Sequence, residues 1–483
     1  MRKQMEKLIF DNKVVILFVF LCIGGVAASG QSLSFVANEL FTRLARNGFL
    51  VLSLIIPVLA GMGLNFGIVI GAMATQVAVF FTTYWGLTGI TGFLLTAALS
   101  TPIAILFGYL VGKLFNSMKG SEMIGGLVLG YFADGLYQLF FLFILGGVIP
   151  IFNSKLMLAT GVGVKNTIDL SQTIKYALDT LPALVLLEAA FYVVLAGLAL
   201  SVVVRLVRRQ PVNWKRTGLV ALAAGAIYGL TFVGPVEAFL QQDRILLLHA
   251  VELGCLATVV WQVGRVTLAR LRKQPWDIRR TLVYCGLAGA VYACTYIGAV
   301  YDVLVYVRLP VATYVCILGL CVLNTALMQT RLGQNMRTVG QNRVVANAAG
   351  IHVDRTRIIA MILSTVLASW GQLIFFQNVG TFSTYGAHLQ VGQFAIASLL
   401  VGGASVQKAT NRQALLGVVL FHTLFVVAPL AGKELFGNAM IGEYFRVFVS
   451  YGVIAMALAM HAWKKVIRPA MDASAAQESA EGQ

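Results

Sequence analysis

The chain has 483 residues, 59% of them hydrophobic and 11% charged, with a mean hydropathy of +0.83. Soluble domains carry about 25% charged residues, so this composition excludes an aqueous globular fold and makes lipid the solvent. The net charge of +17 lies in short clusters between apolar runs. It does not form the domain-scale basic face of a nucleic-acid binder, and that class is excluded too.

Apolar runs near 13–29, 90–112, 124–149, 182–204, 217–235, 245–264, 281–300, 304–328, 357–376, 392–405, 414–431 and 443–462 are candidates for bilayer-crossing helices. They predict an all-α polytopic membrane protein of about twelve transmembrane helices. The first run has a basic start and ends VAAS at 26–29, as a secretory leader does. Its length, in a polytopic chain, favours a retained first helix.

One further apolar region, 49–86, is too long for a single helix and too short for two full crossings. Its middle reads GMGLNFG at 61–67, and three glycines with an asparagine break a helix. A broken re-entrant hairpin is expected there. Irregular backbone at membrane depth is tolerated only beside protein or a watery cavity, so Gly61, Gly63, Asn65 and Gly67 become candidates for a translocation pathway. The region 149–181, between two spans, holds TGVGVKNTIDL and KYALD. It is longer than a linker requires and suits a docking surface for an extracytoplasmic protein.

A repeat follows. RRQPVNWKRTG at 208–218 matches RKQPWDIRRTL at 272–282, and GAIYGLTFVG at 225–234 matches GAVYACTYIG at 289–298, all in a constant register of 64 residues. This is a tandem duplication of a helical hairpin. Beyond it, GQNRVVANAAGIHVDRTR at 340–357 is polar, basic and rich in small residues between two apolar runs. Such a segment does little for a bilayer and suits contact with another protein. Residues 470–483 read as a disordered tail.

The basic residues test the topology. With the N-terminus inside and no net crossing from the hairpin, one set of loops holds Arg2, Lys3, Lys7 and Lys13; Lys113 and Lys119; five residues within 205–216; six within 265–280; five within 331–357; Lys408 and Arg412; and Lys464, Lys465 and Arg468. These are 27 of the 36 Lys and Arg. The bias places both termini and 340–357 in the cytoplasm of an inner-membrane protein.

Catalytic motifs are absent. There is no HExxH or GxSxG, and Gly108 to Lys113 is one residue short of a phosphate loop, with no Ser or Thr after the lysine. Cys22, Cys255, Cys285, Cys294, Cys316 and Cys321 all sit in apolar runs, with no metal-ligand spacing. No catalytic residue, metal or resident cofactor is expected. Polar residues inside spans are costly unless partnered. Gln76, Asp134 with Gln138 at helical spacing, Gln372 with Phe376, and Gln393 either tie helices together or line a pathway for an uncharged, hydroxyl-rich solute. Glu188 and Glu252 are isolated acids in apolar runs.

GQNRVVANAAGIHVDRTRIIAMILSTVLASWGQ at 340–372 resembles the permease subunits of ATP-binding-cassette importers, of the group serving branched-chain amino acids, ribose-type sugars and nucleosides. LLVGGASVQKATNRQALLGVVL at 399–420 is similar to that family's C-terminal Gly-Gly-Thr-Ser segment. GMGLNFGIVIGAMA is similar to its broken helix, with Asn65 in place of a common aspartate. The matching residues of the first segment are Gly340, Asn342, Ala348, Ala349, Gly350, Ile351 and Arg355, with Ala346 among its small residues. The acid usual after the asparagine is missing, and Arg343 and Val344 stand there.

The resemblance covers 49–206 and 304–462 of a membrane domain spanning 1–469, with 208–303 as an insertion. It implies a coupling helix that binds an ABC ATPase, ATP held only by that partner, a second permease and an extracytoplasmic solute-binding protein. The solute would be a simple sugar or nucleoside rather than an amino acid. The alternative class is a self-contained secondary transporter or channel.

Overall fold

The computed structural model describes residues 13–153, 155–209, 211, 213–271, 278–449, 451–452 and 454–455. The basic residues of 1–12 and 464–468, the tail at 470–483, much of the expected 443–462 span and parts of both basic repeat loops lie outside the described residues. After α1 (Lys13–Ala28), the Ser32 hydroxyl accepts from the Phe35 amide and starts α2 (Leu33–Ser53), which runs on through α3 (Ile55–Leu59). The combined span, Leu33–Leu59, has 27 residues and is long and apolar enough to cross a membrane.

The expected half-helix entering at 49 is therefore corrected to a full-length span. Polar residues in its first turns concealed it in the sequence. They are tied down: Arg43 donates to Glu39 and Asn47 to the Arg43 carbonyl one turn away, and Arg46 donates to the distant Asn378. The break falls at the glycines, with left-handed backbone at Gly61 (φ 74°) and Gly63 (φ 72°), and the chain returns as the 17-residue α4 (Ile68–Tyr84). Next come α5 (Gly89–Ser117), α6 (Glu122–Leu139), a π turn at Phe140–Ile144, and β1 (Thr167–Asp169).

The repeat region contains α7 (Ala183–Val207), α8 (Trp214–Leu230), α9 (Gly234–Leu240), β2 (Arg244–Leu246), α10 (Leu247–Leu271), α11 (Ile278–Cys294), α12 (Gly298–Tyr306) and β3 (Arg308–Pro310). It is followed by α13 (Val311–Gln329), α14 (Arg331–Gln341), α15 (Arg343–Ala348), α16 (Val353–Val379), β4 (Thr381–Ser383), α17 (Ala387–Val401) and α18 (Asn411–Phe436).

The chain divides into two compact units: residues 1–176 with 316–483, and residues 177–315. In the first, α16 is the central helix, and glycines let neighbours approach its backbone. A Cβ on Gly71 of α4 would lie 2.7 Å from the Thr365 carbonyl oxygen, and one on Gly108 of α5 would lie 2.7 Å from Ile362 Cα. The two ends of this unit are defined by α5. Near its C-terminus Asn116 donates to the Asp354 carbonyl (2.9 Å), and at its N-terminus the Gly89 amide donates to the Thr173 carbonyl (2.7 Å). At the Thr173 end, β1 and β4 pair antiparallel, with Ile168 opposite Phe382.

In the second unit the duplication is longer than the matched motifs. α7, α10 and α13 start at 183, 247 and 311, so the 64-residue register runs through three helix starts. The equivalent strands β2 and β3 pair antiparallel about Ile245 and Leu309. Thr231 and Thr295 each donate to the carbonyl three residues earlier, of Tyr228 and Tyr292. The expected run at 304–328 is interrupted by β3, because Pro310 has no amide hydrogen and disfavours helix in the residue before it. The run at 281–300 ends at Cys294 and turns by 87° into α12. Among the described residues, eight helices are long and apolar enough to cross a membrane, or nine if that bent pair is one span. The protein is all-α and polytopic; the count falls below the expected twelve because Val14–Ala28, Thr217–Gly229 and Ala387–Val401 are shorter than a full span, the 281–300 run is bent, and much of 443–462 lies outside the described residues.

Candidate functional site

The segment at 340–351 is not one helix. Gly340 lies in the last turn of α14, and Asn342 caps α15: its Oδ1 accepts from the Val344 and Val345 amides at 2.9 and 3.2 Å. After Ala349 the chain turns at Gly350 (φ 77°), where the Ile351 amide donates to the Ala346 carbonyl. Ala348, Ala349, Gly350 and Arg355 are exposed, and Ile351 is half-buried. Ala346 is fully buried, which removes it from the expected outward small-residue face. Val344 and Val345 take that place, 78% and 56% exposed.

This segment packs against the broken turn. A Cβ on Gly61 would fall 2.6 Å from Gly340 Cα, and one on Gly340 would fall 2.2 Å from the Leu59 carbonyl oxygen, so only glycine fits on either side. Arg343, the departure from the family pattern, donates through Nη2 to the Gly61 carbonyl (3.2 Å) and to Glu122 Oε1 (2.6 Å). Arg357 brings its own Nη2 to the same carboxylate oxygen at 2.6 Å, and also donates to the Phe115 carbonyl at 3.3 Å. Glu122 Oε2 accepts from the Gly120 amide.

Sequence reasoning missed Glu122 and counted Arg357 as a loop charge, whereas Arg357 is wholly buried. Both look like ordinary charges at the edges of apolar runs, 235 positions apart. Beside this knot, a cavity of about 590 Å³ is lined by Gly61, Gly63, Glu122, Gly340, Arg343 and Gln407, among others.

Glu122 opens α6, and farther along α6 shows two opposed faces. Leu129, Phe132, Leu136 and Phe140, with Ile103 and Phe107 of α5, line an apolar groove of about 550 Å³. The other face carries Gly130, Asp134 and Gln138, with Tyr137 at the border between the two, where it also lines the groove. Gln138 donates to Asp134 Oδ2 (2.9 Å), and His388 Nε2 lies 2.8 Å from Asp134 Oδ1. The Tyr137 ring centroid is 4.9 Å from that of His388. His388 is fully buried, and its Nδ1 has no hydrogen-bond partner among the described residues. His388 escaped the sequence reading because it sits at the start of a separate short helix, α17.

Gln393, also on α17, is half-buried and accepts from Tyr451 OH. With Phe66, Val69, Gly130, Tyr131 and Gly392, it lines a small cleft of about 20 Å³, room for roughly one water.

The remaining candidates lie in the interior. Asn65 donates to Ser364 Oγ at 3.4 Å, and a Cβ on Gly67 would lie 2.9 Å from Asn65 Oδ1. Gln76, Gln372 and Phe376 are fully buried and line none of these three spaces; both amide atoms of Gln76 and Gln372 have no partner among the described residues. Helical spacing identified a shared face for Gln372 and Phe376, but α2, α4 and α5 surround that part of α16.

At the opposite end, the segment at 149–181 is pinned to the turn between α16 and α17. Thr384 donates to the Lys165 carbonyl, Tyr385 OH to that of Val164, and the Tyr176 amide to that of Gln377, all at 2.7 Å. Burial pushes the Tyr385 hydroxyl pKa up, against the opposing effect of its bond to Val164. The Asp169 carboxyl is held below its ordinary value by the Ser171 hydroxyl and amide.

Residues 189–458 match the family model described as "Branched-chain amino acid transport system / permease component". The matched range crosses the duplicated hairpins and begins after the broken turn. A 98-residue stretch is 30% identical to the nucleoside ABC transporter permease protein NupB of Lactococcus lactis subsp. cremoris (strain MG1363), covering 20% of this chain and 27% of that relative. No solved structure gives a significant match.

Proposed function

The chain belongs to the branched-chain amino acid transport system permease family, and on that premise we propose that it forms the translocation pathway of an ATP-binding-cassette importer for a neutral solute, a nucleoside or simple sugar. It is a multi-pass membrane transport subunit rather than an enzyme. ATP is bound and hydrolysed by partner ATPases, and this chain holds no cofactor of its own. The proposed pathway wall is the polar face of α6 with α17. A carboxylate that is 13% exposed would be costly against hydrocarbon, so this face suits a watery path or a second permease, and the apolar opposite face of α6 suits lipid. Amides, the Asp134–His388 pair and the aromatic rings of Phe66 and Tyr131 offer hydrogen bonds and stacking to ribose and base. The nucleoside reading also draws on the similarity to the nucleoside permease NupB.

The observation that carries the reading is α15: a capped, exposed helix whose inner side locks onto the broken turn. We assign it to the cytoplasm as the ATPase-coupling element, with both termini on that side of an inner membrane. The segment at 149–181 with 381–385 would then receive an extracytoplasmic binding protein. The test is co-purification with the cognate ATPase, then ATP-dependent uridine and ribose uptake in proteoliposomes. The ATPase should bind the native chain and be lost with Gly350→Arg. Uptake by the chain alone, without ATP, would favour a self-contained transporter and overturn the proposal.

A further inference from the structure

We propose that Glu122 is the joint through which movement of α15 reaches α6, with Arg343 as its detachable member and Arg357 as its fixed one. This rests on the reading that an ATPase docks on α15. Both guanidinium groups present Nη2 to one carboxylate oxygen, each at 2.6 Å. Their burial differs sharply: the side chains of Arg357, Glu122 and Arg343 are 0%, 7% and 30% exposed.

Two cations on one carboxylate leave this site with an excess positive charge, and Arg357 Nε and Nη1 have no partner among the described residues. If Arg343 leaves, a neutral buried pair remains and Arg343 passes into water. If Arg357 were to leave, a wholly buried cation would lose its counter-charge, which is far more costly. The arrangement therefore opens on one side only.

Arg343 also holds the Gly61 carbonyl, so one displacement releases both the broken turn and the start of α6. The adjoining cavity gives that movement room. Asp134 lies twelve residues beyond Glu122 on the same helix, about 18 Å along its axis. A tilt at the base is thus carried to the Asp134–His388 pair. Arg343 and Glu122 are positioning residues that touch no solute.

The experiment uses the complete complex trapped with ATP and vanadate, with hydrogen exchange read at 122–139 and 343–351. In the native complex both segments should change exchange on trapping. Arg343→Gln should still capture the ATPase and keep the change at 343–351, but lose at least five-fold of the change at 122–139; Arg343→Lys should restore about half. Arg343→Met, which also removes the charge and leaves the Glu122–Arg357 pair intact, should show the same loss at 122–139. A full response at 122–139 in Arg343→Gln or in Arg343→Met would overturn the joint. So would loss of ATPase capture by Arg343→Gln, which would make Arg343 a docking contact. A native chain that captures no ATPase would remove the functional reading and the joint with it.

Discussion

Glycine has opposite meanings in the two units. In the discontinuous unit, an added Cβ would lie within 3 Å of facing backbone at Gly71, Gly108, Gly340, Gly371, Gly402 and Gly417. In the repeat unit, Gly197, Gly225, Gly229, Gly254, Gly264 and Gly289 would meet nothing within 4 Å. Helix burial follows the same division: 61% of the apolar stretch of Val353–Val379 is buried, against 6% in Ala183–Val207. One unit brings its helices together at backbone distance and encloses ion pairs and amides. The other is a set of apolar helices with most of their surface free for lipid or a partner. Small residues in a membrane helix therefore mark close packing only where a neighbour arrives.

Substitutions can break this contrast, and the largest effect is expected where backbone meets backbone. A Cβ at Gly417 would lie 1.8 Å from the Ser398 carbonyl oxygen, so Gly417→Ala should cost roughly 4 kcal/mol, read as lost thermal stability in detergent. If Gly225→Ala cost as much, the contrast would fail. Next, Arg357→Met should cost about 3 kcal/mol by removing a buried partner of Glu122. Arg343→Met should cost under about 1 kcal/mol, because that pair is partly solvated.

Within the repeat unit, Thr313 donates to Asp179 Oδ1 at 2.5 Å, and Thr313→Val should lose about 1–2 kcal/mol in the same melt. Gly225→Ala and Gly289→Ala should shift stability by no more than about 1 kcal/mol, in the stabilising direction set by helix propensity.

The smallest effect concerns pH. Asp169 has a depressed folded pKa, so its contribution is present above the unfolded value of about 3.9 and is lost as pH falls through the folded one. Normalised hydrogen exchange at 167–173 should be equal at pH 7 and pH 5 and rise only under stronger acid. A rise already at pH 5 would show that another group governs the segment.

Much of the fold was legible. Apolar runs announced the membrane helices, GMGLNFG announced the break at 61–67, and the 64-residue register announced the duplication. The first turns of α2 were not legible, because Glu39, Arg43, Arg46 and Asn47 look soluble until their partners are known. Nor was the break at Pro310 recognised within an otherwise apolar run. At the candidate site, helical spacing put Asp134 and Gln138 on one face, and they do bond. Spacing within one helix could not foresee His388 arriving from another, or show that Gln76 and Gln372 are enclosed.

The sequence by itself determined the solvent, the helical class and the positions of the flexible glycines, because hydropathy, helix propensity and backbone freedom are properties of a residue and its near neighbours. Tertiary structure alone decided that Arg343 and Arg357 share Glu122, that Asp134 meets His388, and which glycines are indispensable. Those outcomes depend on contacts between distant helices, and in a uniformly apolar chain the local pattern carries little record of which helices will meet.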